Sequence, residues 1–283
     1  LKIMKKTISM LLCCAMLGTL CACQHGGDYE KRTYVPQFDM TVSYGFEDEE
    51  LKSDDGTTYY RQSLGTATVS SKDERAAERI NSSLAELYVK FRADAEYTRR
   101  VAEDQPDGEQ IALSYYCAPS VTRCDTRVLS AVFDVSQDIG GIHADSTRTS
   151  RSYNADNGSL LTLADIAKNE EQLKTFIKNY VIGLAAGDDY KEGGVSILFD
   201  DFESTINDLV DAGANWYFSD GGLVFYANPY DIAPYSRGVL LFEIPYSALA
   251  EFIDEGFMPV EYEGENGMLL ADDGDKLDRS SLN

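Results

Sequence analysis

Histidine is almost missing from this chain, which has two, His25 and His143. A histidine-rich metal centre is thereby excluded. An imidazole-based triad would have to use His143, because His25 sits in a glycine- and charge-containing stretch near the N-terminus. Basic residues are also few, 25 against 48 acidic, for a formal charge of −23. That balance repels nucleic acid and anionic lipid surfaces; it favours cationic partners, and it equally serves solubility alone. No apolar run reaches the roughly twenty residues that span a bilayer. The Gly-x-Ser-x-Gly elbow, the phosphate loop Gly-x-x-x-x-Gly-Lys-Ser/Thr and the zinc helix His-Glu-x-x-His are absent. Asp272-Asp273-Gly274-Asp275 lacks the spacing and closing Glu of a calcium loop. Metal and cofactor are therefore not expected. Carboxylates are so many that no acid/base pair can be chosen from them, and the sequence offers no catalytic constellation.

What is present begins with an export signal. Lys5 and Lys6 precede the apolar run Ile8–Ala22, the composition of a secretory signal. Its end, Leu20-Cys21-Ala22-Cys23, resembles the lipobox of bacterial lipoproteins, in which the cysteine is diacylated and becomes the new N-terminus. Cys23 fits that position, because Cys21 follows the large Leu20; an ordinary cleaved signal with an incidental cysteine is the alternative. Removal of residues 1–22 takes Lys2, Lys5 and Lys6 and no acid, leaving 22 basic residues against 48 acidic, a formal −26. The expected location is extracytoplasmic, anchored to a membrane through lipid. With 43% hydrophobic residues and 18 Tyr, the rest of the chain has enough for a packed core.

Cys117 and Cys124 remain after export. They flank Ala118–Arg123, a Pro119-containing link between two β-like runs. A disulfide across the mouth of a hairpin is the expectation in an oxidising compartment, with two buried free thiols as the alternative.

The periodicities alternate between two and 3.6. Residues 24–36 read as a tether. Phe38, Met40, Val42, Tyr44 and Phe46 alternate as a strand, Glu47–Gly56 reads as an acidic turn, and Thr57–Ser70 as a second strand. Ser71-Lys72-Asp73-Glu74 has the capping-box pattern, opening a helix whose stripe is Ala76, Ile80, Leu84, Leu87, Tyr88, Phe91 and Ala95. Strands follow near 110–117 and 127–135, with a possible edge strand at Ser146–Tyr153 and a turn at Asn154–Gly158. Asn169 caps a second long helix ending before Gly187, and a shorter helix covers Asp201–Val210. A hairpin at Asn215–Ala227, a strand at Val239–Ile244 and a helix opened by Pro245 complete the pattern. This predicts an α+β fold: antiparallel sheets with helices packed on one face, in two consecutive α+β modules. The expected divisions are a signal at 1–22, a tether at 23–36, domains at 37–129 and 130–256, and an acidic tail at 257–283.

Two motifs stand out. Gly140-Gly141-Ile142-His143 ends a strand where the backbone needs freedom; His143 either locks that turn or lines a ligand groove. Tyr230-Asp231-Ile232-Ala233-Pro234-Tyr235-Ser236-Arg237-Gly238 is a tyrosine-rich, proline-bearing loop between strands. It is either a rigid recognition surface or a structural crossover. The candidate ligand-binding residues are His143, Tyr230, Tyr235 and Arg237, with Gly140, Gly141, Pro234 and Gly238 shaping the loops.

These motifs, together with Leu161-Thr162-Leu163 before the long helix, Leu223-x-Phe225-Tyr226 and Ile244-Pro245-Tyr246-Ser247-x-Leu249, carry a resemblance. The segment Ser130–Gly256 resembles the extracellular C-terminal module of RsiV-type anti-sigma factors, which sense lysozyme, and of PdaC-type peptidoglycan deacetylases. Ile142 stands where a small residue is usual, and Ser236 where Ala is common. The resemblance implies an α+β fold and an envelope location. It does not imply an enzyme, because the deacetylase catalytic domain lies outside that module. The expectation is a non-catalytic, lipid-anchored binding or sensing module whose ligand is a lysozyme-like protein or the peptidoglycan glycan. The alternatives are a wall-glycan enzyme using carboxylates in a cleft near His143, or an envelope scaffold.

Overall fold

The computed structural model describes residues 40–106 and 111–259, all within one compact unit. The signal at 1–22, Cys23, the tether at 23–36 and the acidic run at Asp272–Asp275 lie outside the described residues.

The alternation at Met40, Val42, Tyr44 and Phe46 runs on through the acidic stretch. Strands β1 (Met40–Lys52) and β2 (Thr58–Ser71) pair antiparallel along their whole length. Residues 47–52 are strand rather than turn because their acids find cross-strand partners. Glu50 accepts from Thr58 at 2.8 Å and lies 3.4 Å from Arg61; Asp48 accepts from Ser63 at 2.7 Å. Helix α1 (Glu74–Glu103) starts at Asp73, whose carboxylate accepts from the N–H groups of Arg75 and Ala76 at 3.0 and 3.1 Å. Ser71, the expected cap, instead accepts from the Asp73 N–H. The stripe from Ala76 to Ala95 is buried as the helical spacing predicts.

Because α1 crosses the sheet before β3 (Leu113–Cys124), Tyr60–Leu64 of β2 pair parallel with Leu113–Cys117. All other ladders among the described residues are antiparallel. Beyond Leu64 the β2 backbone turns to α1 for partners. The Tyr88 hydroxyl bonds both the N–H and the carbonyl of Ala67, and the Asn81 side chain bonds both groups of Val69 at 2.8 Å. Gly65 permits this divergence: a Cβ there would stand 2.4 Å from Pro119 Cδ and 2.6 Å from the Cys117 carbonyl oxygen.

The disulfide expectation is corrected by β3. Cys117 and Cys124 lie in this one strand as free thiols, and seven residues of extended chain separate them by roughly 23 Å. Pro119, read as part of the turn, is mid-strand, just past the residues that β2 pairs. The turn comes at Asp125–Arg127, where the Asp125 carboxylate accepts from the N–H groups of Arg127 and Val128 at 2.6 and 2.8 Å. Strands β4 (Val128–Asp138) and β5 (Asp145–Asn154) complete a sheet of order β1-β2-β3-β4-β5.

The second half contributes α2 (Leu163–Ile166), α3 (Glu170–Ala185), β6 (Lys191–Glu192), β7 (Val195–Ser196) and α4 (Phe202–Asp211). It continues with β8 (Trp216–Phe218), β9 (Gly222–Ala227), β10 (Leu240–Pro245) and α5 (Tyr246–Leu249). Asn169 caps α3 as expected, 3.0 Å from the Gln172 N–H. Strands β10-β9-β8 form a small sheet. All of β9 is buried, because its two faces serve two neighbours. Leu223, Phe225 and Ala227 join the core of α3 and α4, whereas Val224 and Tyr226, with Tyr217, pack against Val132 of β4. On β4 the alternate residues Leu129, Ala131 and Phe133 face α1. The layers are therefore α1, five-stranded sheet, three-stranded sheet, and α3 with α4. Helices cover one face of each sheet, and the other faces meet each other.

The division expected at 129/130 falls inside β4, laddered on both sides. The apolar cluster around α1 runs through Ala155, and the second takes over from Leu161, apart from Val128. Phe257 and Met258, expected in the tail, are bonded to the fold: the Phe257 carbonyl accepts from Arg123 at 2.7 Å and that of Met258 from Arg127 at 3.1 Å.

Burial pushes the Cys117 thiol up to about 12 and the Cys124 thiol up to about 11. Both stay protonated at neutral pH, so both are expected to resist alkylation in the native protein and to react once it unfolds. Peptide mapping without reductant checks this. Recovery of the two peptides joined by a disulfide would restore the hairpin reading.

Candidate functional site

The two loops that the sequence marks out meet at the β5 edge. After β4, Gly140 takes φ +88°, and its N–H bonds the Asp138 carboxylate at 2.9 Å. The chain then turns back through Gly141 and His143 into β5. After β9, Asn228 fixes the second loop to β5: its side chain accepts from the Arg148 N–H at 2.7 Å and donates to the Arg148 carbonyl at 3.3 Å. Tyr230 sits in the left-handed region at φ +71°, an uncommon backbone for a bulky residue, and its N–H bonds the Ala233 carbonyl at 3.1 Å. Pro234 leads into a single turn at Tyr235–Arg237, and Gly238, at φ +65°, closes it.

His143 joins these loops. Its ring stacks on Tyr235 with centroids 3.6 Å apart and planes 12° from parallel. Nδ1 lies 3.1 Å from the Ala144 carbonyl oxygen and Nε2 3.1 Å from the Tyr230 hydroxyl. A carbonyl only accepts, so Nδ1 carries the hydrogen, and in the neutral ring Nε2 accepts from Tyr230. The Tyr235 hydroxyl donates to the Ala144 carbonyl and lies 3.2 Å from Ser146 Oγ. Nε2 and the ring stack thus join the two loops, while Nδ1 bonds within its own loop. Arg237 is elsewhere, paired with Glu192 of β6 at 2.6 Å.

Below Tyr230 and Tyr235 lies a cleft of about 290 Å³. Helix α1 supplies Lys90, Phe91 and Asp94 to one wall, and β5 supplies Asp145, Thr147 and Thr149 to the other. The β4–β5 register sets Asp145 opposite Gln137 and Thr147 opposite Val135, so the α1-facing side of the sheet lines the cleft. Gln137 Nε2 donates to Thr98 at 2.8 Å, and Lys90 lies 3.9 Å from Asp94. Tyr115, from β3, is fully buried, and its hydroxyl has no hydrogen-bond partner among the described residues. Burial first, then Cys117 and Asp94, hold that hydroxyl well above its ordinary value, so its proton stays available to donate.

Of the four residues expected at a ligand surface, the structure brings His143, Tyr230 and Tyr235 together; Tyr230 and Tyr235 also line the cleft. Sequence reasoning missed Tyr115, Asp94 and Asp145. Tyr115 shows there only as an inward position between Leu113 and Cys117, and Asp94 as a polar residue beside the α1 stripe. Among the described residues no three or more His, Cys, Asp or Glu converge as metal ligands.

Replacing His143, an exposed residue, with Ala removes the stack and the Tyr230 hydrogen bond. The expected result is faster amide exchange at residues 141–146 and a global stability loss of no more than about 1–2 kcal/mol. Hydrogen exchange and urea unfolding read the two effects. Unchanged exchange there would remove the joining role.

No curated protein matches the chain. A crystal structure of a DUF3298 family member from Bacteroides fragilis aligns with a TM-score of 0.51 and 18% identity, covering 77% of this chain and 94% of its own. A second, from Pseudomonas aeruginosa, aligns at 0.48 and 16%, covering 78% and 99%. At these identities the likeness to the Bacteroides fragilis protein is one of fold. Residues 164–247, which include the Tyr230–Gly238 loop and Tyr246 but not His143, match the family described as protein of unknown function, DUF3298.

Proposed function

We propose that the chain is a non-catalytic recognition module of a bacterial envelope, exported by its signal, held to a membrane by lipid on Cys23, and binding wall glycan at the face formed by Tyr230 and Tyr235. The observation that carries this reading is the cleft beneath those two rings, walled by hydroxyls, carboxylates and an amide, the mixture of flat apolar faces and polar groups that sugars need. The resemblance to the extracellular modules of RsiV-type and PdaC-type proteins supports the envelope location. The engagement of both His143 nitrogens supports a non-catalytic role. Asp94 and Asp145 do lie in a cleft near His143, where a glycan enzyme would need its carboxylates, but Asp94 faces Lys90 and His143 is held by the Ala144 carbonyl, the Tyr230 hydroxyl and the Tyr235 ring.

The formal charge of −26 left after removal of residues 1–22 favours a second ligand, a strongly basic wall-attacking protein of the lysozyme kind. Two titrations separate them. The full chain is expected to pellet with insoluble peptidoglycan at low and raised salt without releasing soluble product. Lysozyme binding is expected to vanish as salt rises, because charge alone supports it. Lysozyme binding that persists in salt with fixed stoichiometry would exchange the two ligands; product release lost on Asp94→Asn or Asp145→Asn would make the protein an enzyme.

Lipidation is tested separately. Palmitate labelling is expected in the wild type and absent in Cys23→Ser, which should move from the membrane to the soluble fraction. Equal labelling of both would place the anchor elsewhere.

A further inference from the structure

We infer that the cleft between α1 and β5 is a subsite for one uncharged, hydroxyl-bearing ring, a single sugar unit, and that the Tyr115 hydroxyl donates to the ligand oxygen inserted deepest. The inference rests on the recognition reading above and specifies the ligand of that same face. Its first support is size. About 290 Å³ stands at the lower end of ligand pockets, room for one ring rather than a chain.

The second support is charge. Lys90 stands against Asp94 and Asp145, an excess of one negative charge around the cleft. A phosphate or carboxylate ligand is repelled there, so the charge excludes an anionic ring, and the cationic one is set apart from the neutral one by the titration below. The third is the kind of polar group. Ser146, Thr147 and Thr149 hydroxyls both donate and accept, which suits a ring whose own hydroxyls do the same. At the rim the Tyr230 ring is 57% exposed, and Tyr235 is held beside it with one face stacked on His143.

The fourth support is Tyr115 itself. A buried hydroxyl nearly always finds a partner, and this one has none among the described residues. It lines the cleft and is 0% exposed, so it belongs at the inner end, where a ligand oxygen completes its bonding once the side chains around it part to admit the ring. Phe91 beside it is also almost fully buried, so the group next to the reaching oxygen meets an apolar surface.

The test uses the full chain and three soluble probes: N-acetylglucosamine, glucosamine and N-acetylglucosamine 6-phosphate. Calorimetry is expected to show the neutral sugar binding at least tenfold more tightly than the phosphorylated one. Tyr115→Phe removes only the hydroxyl, and is expected to weaken the neutral sugar about tenfold while leaving the thermal midpoint unchanged or higher, because an unpartnered group is lost. Phosphorylated sugar binding equally well, glucosamine binding more tightly than its acetylated form, or Tyr115→Phe binding like wild type would each overturn the subsite, as would saturation by none of the three. Pelleting with intact wall separates the two readings. If wild type and Tyr115→Phe both pellet while neither takes the sugar, the subsite fails and wall recognition stands. If wild type takes neutral sugar yet ignores intact wall, wall recognition fails and the subsite stands.

Discussion

One buried cation ties the layers together. Arg123 has a fully buried side chain, and every group around it comes from a different part of the fold. Nε pairs with Asp125 at 2.6 Å, inside the β3–β4 turn. Nη1 donates at 2.7 Å both to the Tyr246 hydroxyl and to the Phe257 carbonyl. The guanidinium lies over the rings of Phe218 and Tyr246, 5.2 and 5.3 Å from their centroids. Tyr246 passes the bonding on to the Ser219 carbonyl at 2.9 Å. Removing either member of such a pair leaves a buried charge without its partner, at a cost of about 3–5 kcal/mol. The Asp125 turn, the small sheet and the last described turn are thus held in one arrangement by a single side chain.

That arrangement forces β4 and β9 to be two-faced. Once Phe218 and Tyr246 are anchored over the β3–β4 turn, the small sheet lies on the large one, and the inner residues of each must be apolar or hydrogen-bonded. Val132 meets Tyr217, Val224 and Tyr226, while Ser130 accepts from the Phe218 N–H at 3.1 Å. Thr122, the residue bulged out of the β3 ladder, donates to the Phe218 carbonyl at 2.7 Å. With its second face covered, the large sheet has its α1-facing side at the β5 edge left for a cleft, and the Tyr230–Gly238 loop reaches that edge because β9 delivers it there.

The legible parts of the sequence are those governed by one neighbour. The α1 stripe, the Asn169 cap and the β8–β9 hairpin each follow from local periodicity or a local hydrogen bond, and each is where the pattern puts it. The errors are tertiary. Pro119 reads as a turn residue because its tolerance depends on β2 having already departed, which only the fold decides. The acids at 47–50 read as loop until Thr58, Arg61, Ser63 and Arg92 are seen opposite them. The 129/130 division fails because a strand buried on both sides reads simply as apolar, without saying that its two faces belong to different cores. The loop residues His143, Tyr230 and Tyr235 were visible as motifs; Tyr115 and Asp94, which give the cleft its chemistry, were not, because an inward tyrosine and a helix carboxylate are ordinary until a cleft brings them together.

The site's own logic separates holding from binding. His143 has a stacked face and two bonded nitrogens, and a side chain so fully engaged is suited to fixing geometry. The strain accepted at Tyr230, a bulky residue at φ +71°, is consistent with that: the ring is held at the cleft mouth where an unconstrained loop would not keep it. Tyr115 is the opposite case, a rigid side chain with bonding capacity left over. The described groups of the site therefore divide in two: His143 is engaged through a ring face and both nitrogens, and Tyr115 keeps an unpartnered hydroxyl among the described residues. The large negative charge acts over distances of about a Debye length, whereas the few groups within the cleft act only at contact.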